Sequence, residues 1–243
     1  MQFWGLTDAG CVRKQNQDAF KIHRLDRNTL LAVVCDGMGG AKSGNIASTL
    51  AADVFMQEVQ RSWKSTVNSD KADQILRSAV KLANFTVFDQ AQQFEEFAGM
   101  GTTMVAVLIR GSRVTTVNVG DSRAYLVNKD GIRQITTDHS VVQMMVDRGE
   151  LTAEEARSYP GRNYITRAVG TEPTVQSDLF AIRVERGDAL LLSSDGLHNE
   201  VDDQEILFEV VHGVNNDNCC QRLLDIANMR GSPDNVTSVL VMA

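Results

Sequence analysis

Proline is scarce. The 243 residues contain 3, and no Gly/Ser-rich or Pro-rich run is long enough to serve as a linker. The expectation is therefore one continuous domain over residues 1–243, since nothing in the composition marks a hinge between two folding units. Long apolar runs are also missing. The longest, Leu30 to Cys35 and Met104 to Ile109, fall well short of the roughly 18 residues needed by a membrane-crossing helix, so no membrane partner is expected. Clusters of Lys and Arg are absent too. With 24 basic against 31 acidic side chains and a net charge of −7, a nucleic-acid backbone is repelled on balance. Met1 to Gly10 lack the basic region and apolar stretch of a secretory signal, which points to the cytoplasm. The 4 cysteines, Cys11, Cys35, Cys219 and Cys220, form no C-x-x-C pair and have no histidines at zinc-ligand spacing. Buried or half-buried free thiols in a reducing compartment are expected.

What is present is an ordinary globular composition, 43% hydrophobic and 23% charged, able to fill a large core. The hydrophobic period changes along the chain. Phe3 to Thr7, Ala19 to Ile22 and Leu30 to Cys35 read as strands. Ala47, Leu50, Ala51, Val54 and Phe55 then recur with helical spacing, as do Ala72, Ile75, Leu76, Ala79, Leu82 and Ala83, giving two amphipathic helices packed side by side. Thr102 to Arg110, Arg113 to Val119 and Ala124 to Val127 are separated by Gly111-Ser112 and Gly120-Asp121-Ser122, which predicts a meander of hairpins. Residues 141–170 are polar and mixed, with a helical Val141 to Arg148 and a capping-box start at Thr152; they read as an inserted surface element. Leu179 to Val184, Ala189 to Ser194 and Val236 to Met242 are strands, with helices at Ile206 to Val211 and Cys220 to Met229. Helices grouped two and two argue against alternating βαβ units and for an antiparallel α+β sandwich.

The acids sit at strand ends. Asp36 follows Leu30 to Cys35, Asp121 follows the strand ending at Val119, Asp195 follows Ala189 to Ser194, and Asp234 stands just before the strand from Val236. Carboxylates at strand termini can converge on one edge, where they repel unless cations intervene. Oxygen ligands without Cys or His favour Mg²⁺ or Mn²⁺ over zinc. A single Asp-Gly pair reads better as a turn; only the set together points to cations.

That set is Asp36-Gly37-Met38-Gly39-Gly40, Gly120-Asp121-Ser122-Arg123, Ser193-Ser194-Asp195-Gly196 and Asp234-Asn235, with Arg13-Lys14-Gln15-Asn16-Gln17-Asp18 upstream. In that order it resembles the metal-dependent PP2C-type (PPM) protein phosphatases in their short bacterial form. Asp138-His139-Ser140 and Asn163 to Gly170 resemble the segments bracketing that family's flap.

The resemblance implies a four-layer αββα sandwich, two antiparallel sheets flanked by helix pairs, with a two-metal site at one end. It further implies hydrolysis of phosphoserine and phosphothreonine on proteins by a metal-activated water, reversing Ser/Thr kinase signalling. By position, Asp36 bridges two Mg²⁺ or Mn²⁺ ions, the carbonyl of Gly37 binds one, and Asp195 and Asp234 bind the other. Asp121, with Asp195, matches a third, weaker ion. Arg13 is the candidate grip on the substrate phosphate, because a guanidinium fork binds two phosphate oxygens at once. Asp18, Gln17 and Asn235 fall in the outer shell. Two positions depart from the family pattern: Gln17 stands where many members carry glutamate, and Met38 where animal members place a proton-donating histidine. A water on the ion at Asp121 is the expected substitute donor. His139 is assigned a structural hydrogen-bonding role. The expected partners are phosphoproteins, substrates of a cognate Ser/Thr kinase, met by a monomer. Two rivals stand beside this reading: a phosphatase dedicated to one regulatory protein, and a non-catalytic phosphoprotein-binding module.

Overall fold

The computed structural model describes residues 1–39, 43–213 and 216–243; Gly40 of the Asp36 motif lies outside the described residues. Strand β1 (Gln2–Asp8), β11 (Val236–Met242), β10 (Ala189–Ser193), β7 (Arg123–Asn128) and β8 (Gly131–Gln134) form one sheet, in that spatial order. A second sheet runs β2 (Asp18–Asp26), β3 (Thr29–Met38), β5 (Met104–Arg110), β6 (Arg113–Val119) and β9 (Asp178–Arg183), with the short β4 (Gly101–Thr102) paired to the end of β3. Every ladder is antiparallel.

Alternation along β3 shows why its sequence is an unbroken apolar run. Leu30, Ala32 and Val34 point between the sheets, against Val105, Val107, Leu190, Leu192, Val239 and Val241. Leu31, Val33 and Cys35 point the other way, onto helices α1 (Gly44–Ser62) and α2 (Ser69–Gln93). A strand covered on both faces has no polar side to display. The outer face of the other sheet, including Tyr125, Val127, Leu191 and Leu240, packs on α6 (Asp203–His212) and α7 (Cys219–Met229), with the one-turn α5 (Asp195–His198) at their edge. Three apolar cores between four layers give the expected αββα sandwich.

Local chemistry sets the helix ends. Asn68 accepts the backbone N–H of Lys71 at 2.9 Å and starts α2, and Asp202 with Glu205 forms a capping box at α6. Small residues at the seam, Ala47, Ala51 and Ala52 against Ala72, Ala79 and Ala83, let α1 and α2 approach closely.

The expected meander requires a correction. The β5–β6 hairpin forms, but β6 pairs on its far side with β9, while β7 lies in the other sheet between β10 and β8. Gly120-Asp121-Ser122 is thus a crossing between sheets. It turns on Gly120, whose φ is +103°. The edge strand β8 was not anticipated, because Gly-Ile-Arg-Gln offers no apolar run. Cys11 is exposed rather than buried, whereas Cys35, Cys219 and Cys220 are buried free thiols.

Between α3 (Val141–Asp147) and α4 (Ala153–Ser158) no residue of either helix is buried. The predicted capping box at Thr152 and Glu155 forms. The neck is closed by the N–H of Val141 donating to the carbonyl of Tyr164 at 2.8 Å and by a bridge of Ser140 to Ile165. Val169 is already back in the core, bridged to Thr102. The excursion therefore spans 141–164, shorter than the 141–170 read from polarity, because the apolar Ala168-Val169 pair belongs to the body.

Candidate active site

Strand ends place the acids on one rim. Asp18 opens β2 opposite Asp36 near the end of β3, Asp195 opens α5 directly after β10, and Asp234 stands two residues ahead of β11. Asp36 feels the charges of Asp18, Asp195, Asp121 and Asp234 together. All five aspartates named from the sequence are thus neighbours in space. Burial first, and that repulsion second, holds the Asp36 carboxyl well above the usual carboxylate range. The same causes push Asp18 to about 7 and Asp121 to about 8. Asp195 is raised as well, by burial first and by the charge of Asp234 next, with the neighbouring Asp36 carboxyl partly offsetting the rise.

Asp36 is fixed through its main chain. Its N–H donates to Thr103 Oγ1 at 2.9 Å, and its carbonyl accepts from Thr102 Oγ1 at 2.8 Å and from the N–H of Thr103 at 2.8 Å. Thr103 Oγ1 also shares a hydrogen bond with Ser122 Oγ at 2.7 Å, which ties Asp36 to the turn carrying Asp121.

Asp18 is held by a relay of hydroxyls. Asn16 Nδ2 donates to Thr7 Oγ1 at 2.8 Å, Thr7 to Thr237 Oγ1 at 2.7 Å, and Thr237 to Asp18 Oδ2 at 2.6 Å; Ser194 Oγ adds a donor at 2.7 Å. Ser122 and Ser194 stand inside the motifs without a role assigned to them, and Thr7, Thr102, Thr103 and Thr237 have no site role in the sequence reading. The available signal was a pair of hydroxyl residues at the end of an apolar strand, Ser193-Ser194 and Thr102-Thr103.

Gly37 is squeezed between main chains. Its N–H donates to the carbonyl of Gln17 at 3.0 Å, and a Cβ there would lie 2.1 Å from the carbonyl oxygen of Gly44 and 2.5 Å from that of Gln17. Gly37→Ala is expected to destabilise the fold by at least about 1–3 kcal/mol, read as a lower denaturant midpoint. An unchanged midpoint would show that the backbone here is not clamped.

Asn235, expected in the outer shell, stitches the Arg13 loop down. Its Oδ1 accepts the N–H of Gln17 at 2.8 Å, and its Nδ2 donates to the carbonyls of Ala9 at 2.9 Å and Gln15 at 3.0 Å. The side chain of Gln17 packs against the start of α1, where a Cβ on Gly44 would come within 2.8 Å of its Cδ. Arg13 is half exposed and donates from Nη2 to Asp234 Oδ2 at 2.8 Å. Met38 is 37% exposed, beside the acids.

Among the described residues, no group of three or more His, Cys, Asp or Glu is already spaced as a metal shell. The donor set nonetheless fits divalent cations. Asp18 Oδ1 and Asp195 Oδ1 are buried oxygens without a hydrogen-bond partner, and crowded carboxylates with orphaned oxygens are favourable only when a cation or proton joins them.

The protein phosphatase 2C family model matches residues 12–224. The serine/threonine phosphatase stp of Listeria monocytogenes is 34% identical over 238 residues, covering 97% of this chain and 93% of that protein. Protein phosphatase PhpP of Streptococcus pneumoniae is 34% identical over 240 residues, covering 97% and 95%. The crystal structure of a serine/threonine phosphatase from Staphylococcus aureus superposes with a TM-score of 0.93 at 39% identity, covering 100% of this chain and 94% of that one. Agreement of this extent, in a sandwich that gathers five separated aspartates on one rim, shows that the chain belongs to the protein phosphatase 2C family.

Proposed function

We propose that the chain hydrolyses phosphate monoesters of serine and threonine on proteins, with two Mg²⁺ or Mn²⁺ ions held by Asp36, the carbonyl of Gly37, Asp195 and Asp234. A third, weaker ion is assigned to Asp121 with Asp195. The observation that carries this reading is the convergence of Asp18, Asp36, Asp121, Asp195 and Asp234, with two orphaned oxygens among them. Protein phosphatase chemistry follows from the family; the ligand set, the number of ions and the substrate's kinase are the proposed part.

When bound there, divalent cations would supply an attacking water at neutral pH and offset charge on the phosphoryl group. The chain's own residues orient and hold. Thr102 and Thr103 fix the Asp36 backbone, and the Asn16–Thr7–Thr237 relay aims Asp18 inward. Arg13 exchanges Asp234 for the substrate phosphate, a move its exposure allows. The phosphoprotein meets the enzyme as a monomer. Among the described residues, no helix is long and apolar enough to cross a membrane.

The test is a panel of peptides bearing phosphoserine, phosphothreonine or phosphotyrosine, assayed with Mn²⁺, with Mg²⁺ and with excess chelator. Turnover of the first two that vanishes with chelator is expected. Activity that survives complete removal of metal, or preference for phosphotyrosine, would refute the reading.

A further inference from the structure

The two peptide groups flanking the Cα of Gly120, the residue before Asp121, are gripped by a residue 19 positions further along the chain. The N–H of Gly120 donates to His139 Nδ1 at 3.0 Å, and the carbonyl of Gly120 accepts from the N–H of His139 at 2.9 Å and from Asn118 Nδ2 at 3.1 Å. Gly120 sits at φ +103°, and a Cβ there would come within 2.7 Å of Thr103, so glycine is required. Glycine is also the residue least able to hold such a conformation unaided. The clamp supplies the missing restraint.

The hydrogen bond also settles the state of the imidazole. A backbone amide can only donate, so Nδ1 carries no proton and the ring proton is on Nε2. That proton points to Asp178 Oδ2 at 3.1 Å; Arg167 Nη1 lies 3.0 Å from the same Nε2 and, with the ring proton there, gives its own proton to Asp178 Oδ1 at 3.0 Å instead. The ring is only 7% exposed. Burial, with the Arg167 cation beside it, lowers the His139 pKa and keeps it neutral.

We propose that His139 is a positioning residue for Asp121: its unprotonated Nδ1 locks Gly120, and thereby aims the Asp121 carboxylate at the rim where the other acids meet. Asp178, as acceptor for Nε2–H, holds the tautomer that makes this possible, and Arg167 keeps the Asp178 carboxylate in place, as outer partners do for ligating groups elsewhere. The inference rests on the reading of Asp121 as a ligand of the weaker cation, and its test separates the two.

Mn²⁺ binding to the full chain is measured by isothermal titration calorimetry for the wild type, Asp121→Asn, His139→Ala, His139→Asn and His139→Gln, with melting curves as a check on folding. Asp121→Asn is expected to remove the weak class of sites. His139→Ala is expected to weaken that class by about ten- to hundredfold and to leave the tight class as in the wild type. His139→Asn, whose Oδ1 replaces Nδ1 as acceptor, should bind near the wild-type level. His139→Gln, which can reach towards Asp178 but not Gly120, should resemble Ala. This Asn/Gln contrast decides the matter even if the Ala variant fails to fold, because a residue serving only to fill space would not distinguish them. If Asp121→Asn loses the weak class but the His139 variants retain it, or if Asn and Gln behave alike, the inference is overturned and the cation reading stands. If the weak class survives Asp121→Asn, or is absent from the wild type, the cation reading fails and takes the inference with it.

Discussion

Asp36→Asn is expected to lower kcat/KM on a phosphothreonine peptide by on the order of 10³-fold, since cations contribute several kcal/mol to the barrier and each 1.36 kcal/mol is tenfold. The same substitution is expected to raise the melting temperature of the chelator-treated protein. The opposite signs have one cause. Asp36 lies among Asp18, Asp195, Asp121 and Asp234, and without cations each ionised neighbour raises the cost of the others. Asparagine cannot ionise, so at the alkaline pH where the cluster loses its protons it removes one charge, while leaving the Thr102 and Thr103 bonds, which use only the main chain of residue 36. Enzyme assay and thermal melting on one preparation therefore distinguish lost chemistry from lost structure. Near-normal turnover, or a lower melting temperature in chelator, would contradict the site as described.

The second large effect is the joint dependence of stability on pH and metal. The carboxyls of Asp18 and Asp121 are raised to about 7 and about 8, against about 3.9 for an aspartate in an unfolded chain. A raised carboxylate pKa means that the folded state holds protons which the unfolded state releases. The metal-free protein therefore loses stability from these groups as pH rises from about 4 through about 8, and the loss is complete above the folded values. With chelator, the melting temperature at pH 8 should fall below that at pH 6. Mn²⁺ should reverse this. Two sites each filled at 100 times Kd add about 2.7 kcal/mol apiece, or roughly 10–20 °C for a domain of this size. The gain should be larger at pH 8, where fewer protons need be displaced from the acids than at pH 6. A melting temperature indifferent to Mn²⁺, or a chelator-treated protein more stable at pH 8 than at pH 6, would remove the claim that a cation belongs among these acids.

The acids of the candidate site were legible because charged residues at the ends of apolar strands stand where packing alone would not choose them. Asp36, Asp195 and Asp234 stand out beside the apolar runs they border. The hydroxyl network was not legible, since threonine and serine are ordinary in strands and carry no mark of a partner. Thr237 meets Asp18 across 219 positions, and only the pairing of β1, β10 and β11 brings Thr7, Ser194 and Thr237 to the end of β2. Asn235 was placed near the ions by its neighbour Asp234. Its bonds add a second role that the sequence did not show, holding down the Arg13 loop.

Local pattern alone determined the elements: continuous apolar runs for strands buried on both faces, a 3.6-residue stripe for α1 and α2, and glycine turns between them. Those signals are local because side-chain direction and backbone preference are set within a few residues. Which sheet a strand joins was decided only by the tertiary structure. β6 and β7 look like one hairpin in sequence, yet Gly120 carries the chain across the sandwich. A turn reveals that the chain bends; where it goes next depends on which apolar face remains to be covered.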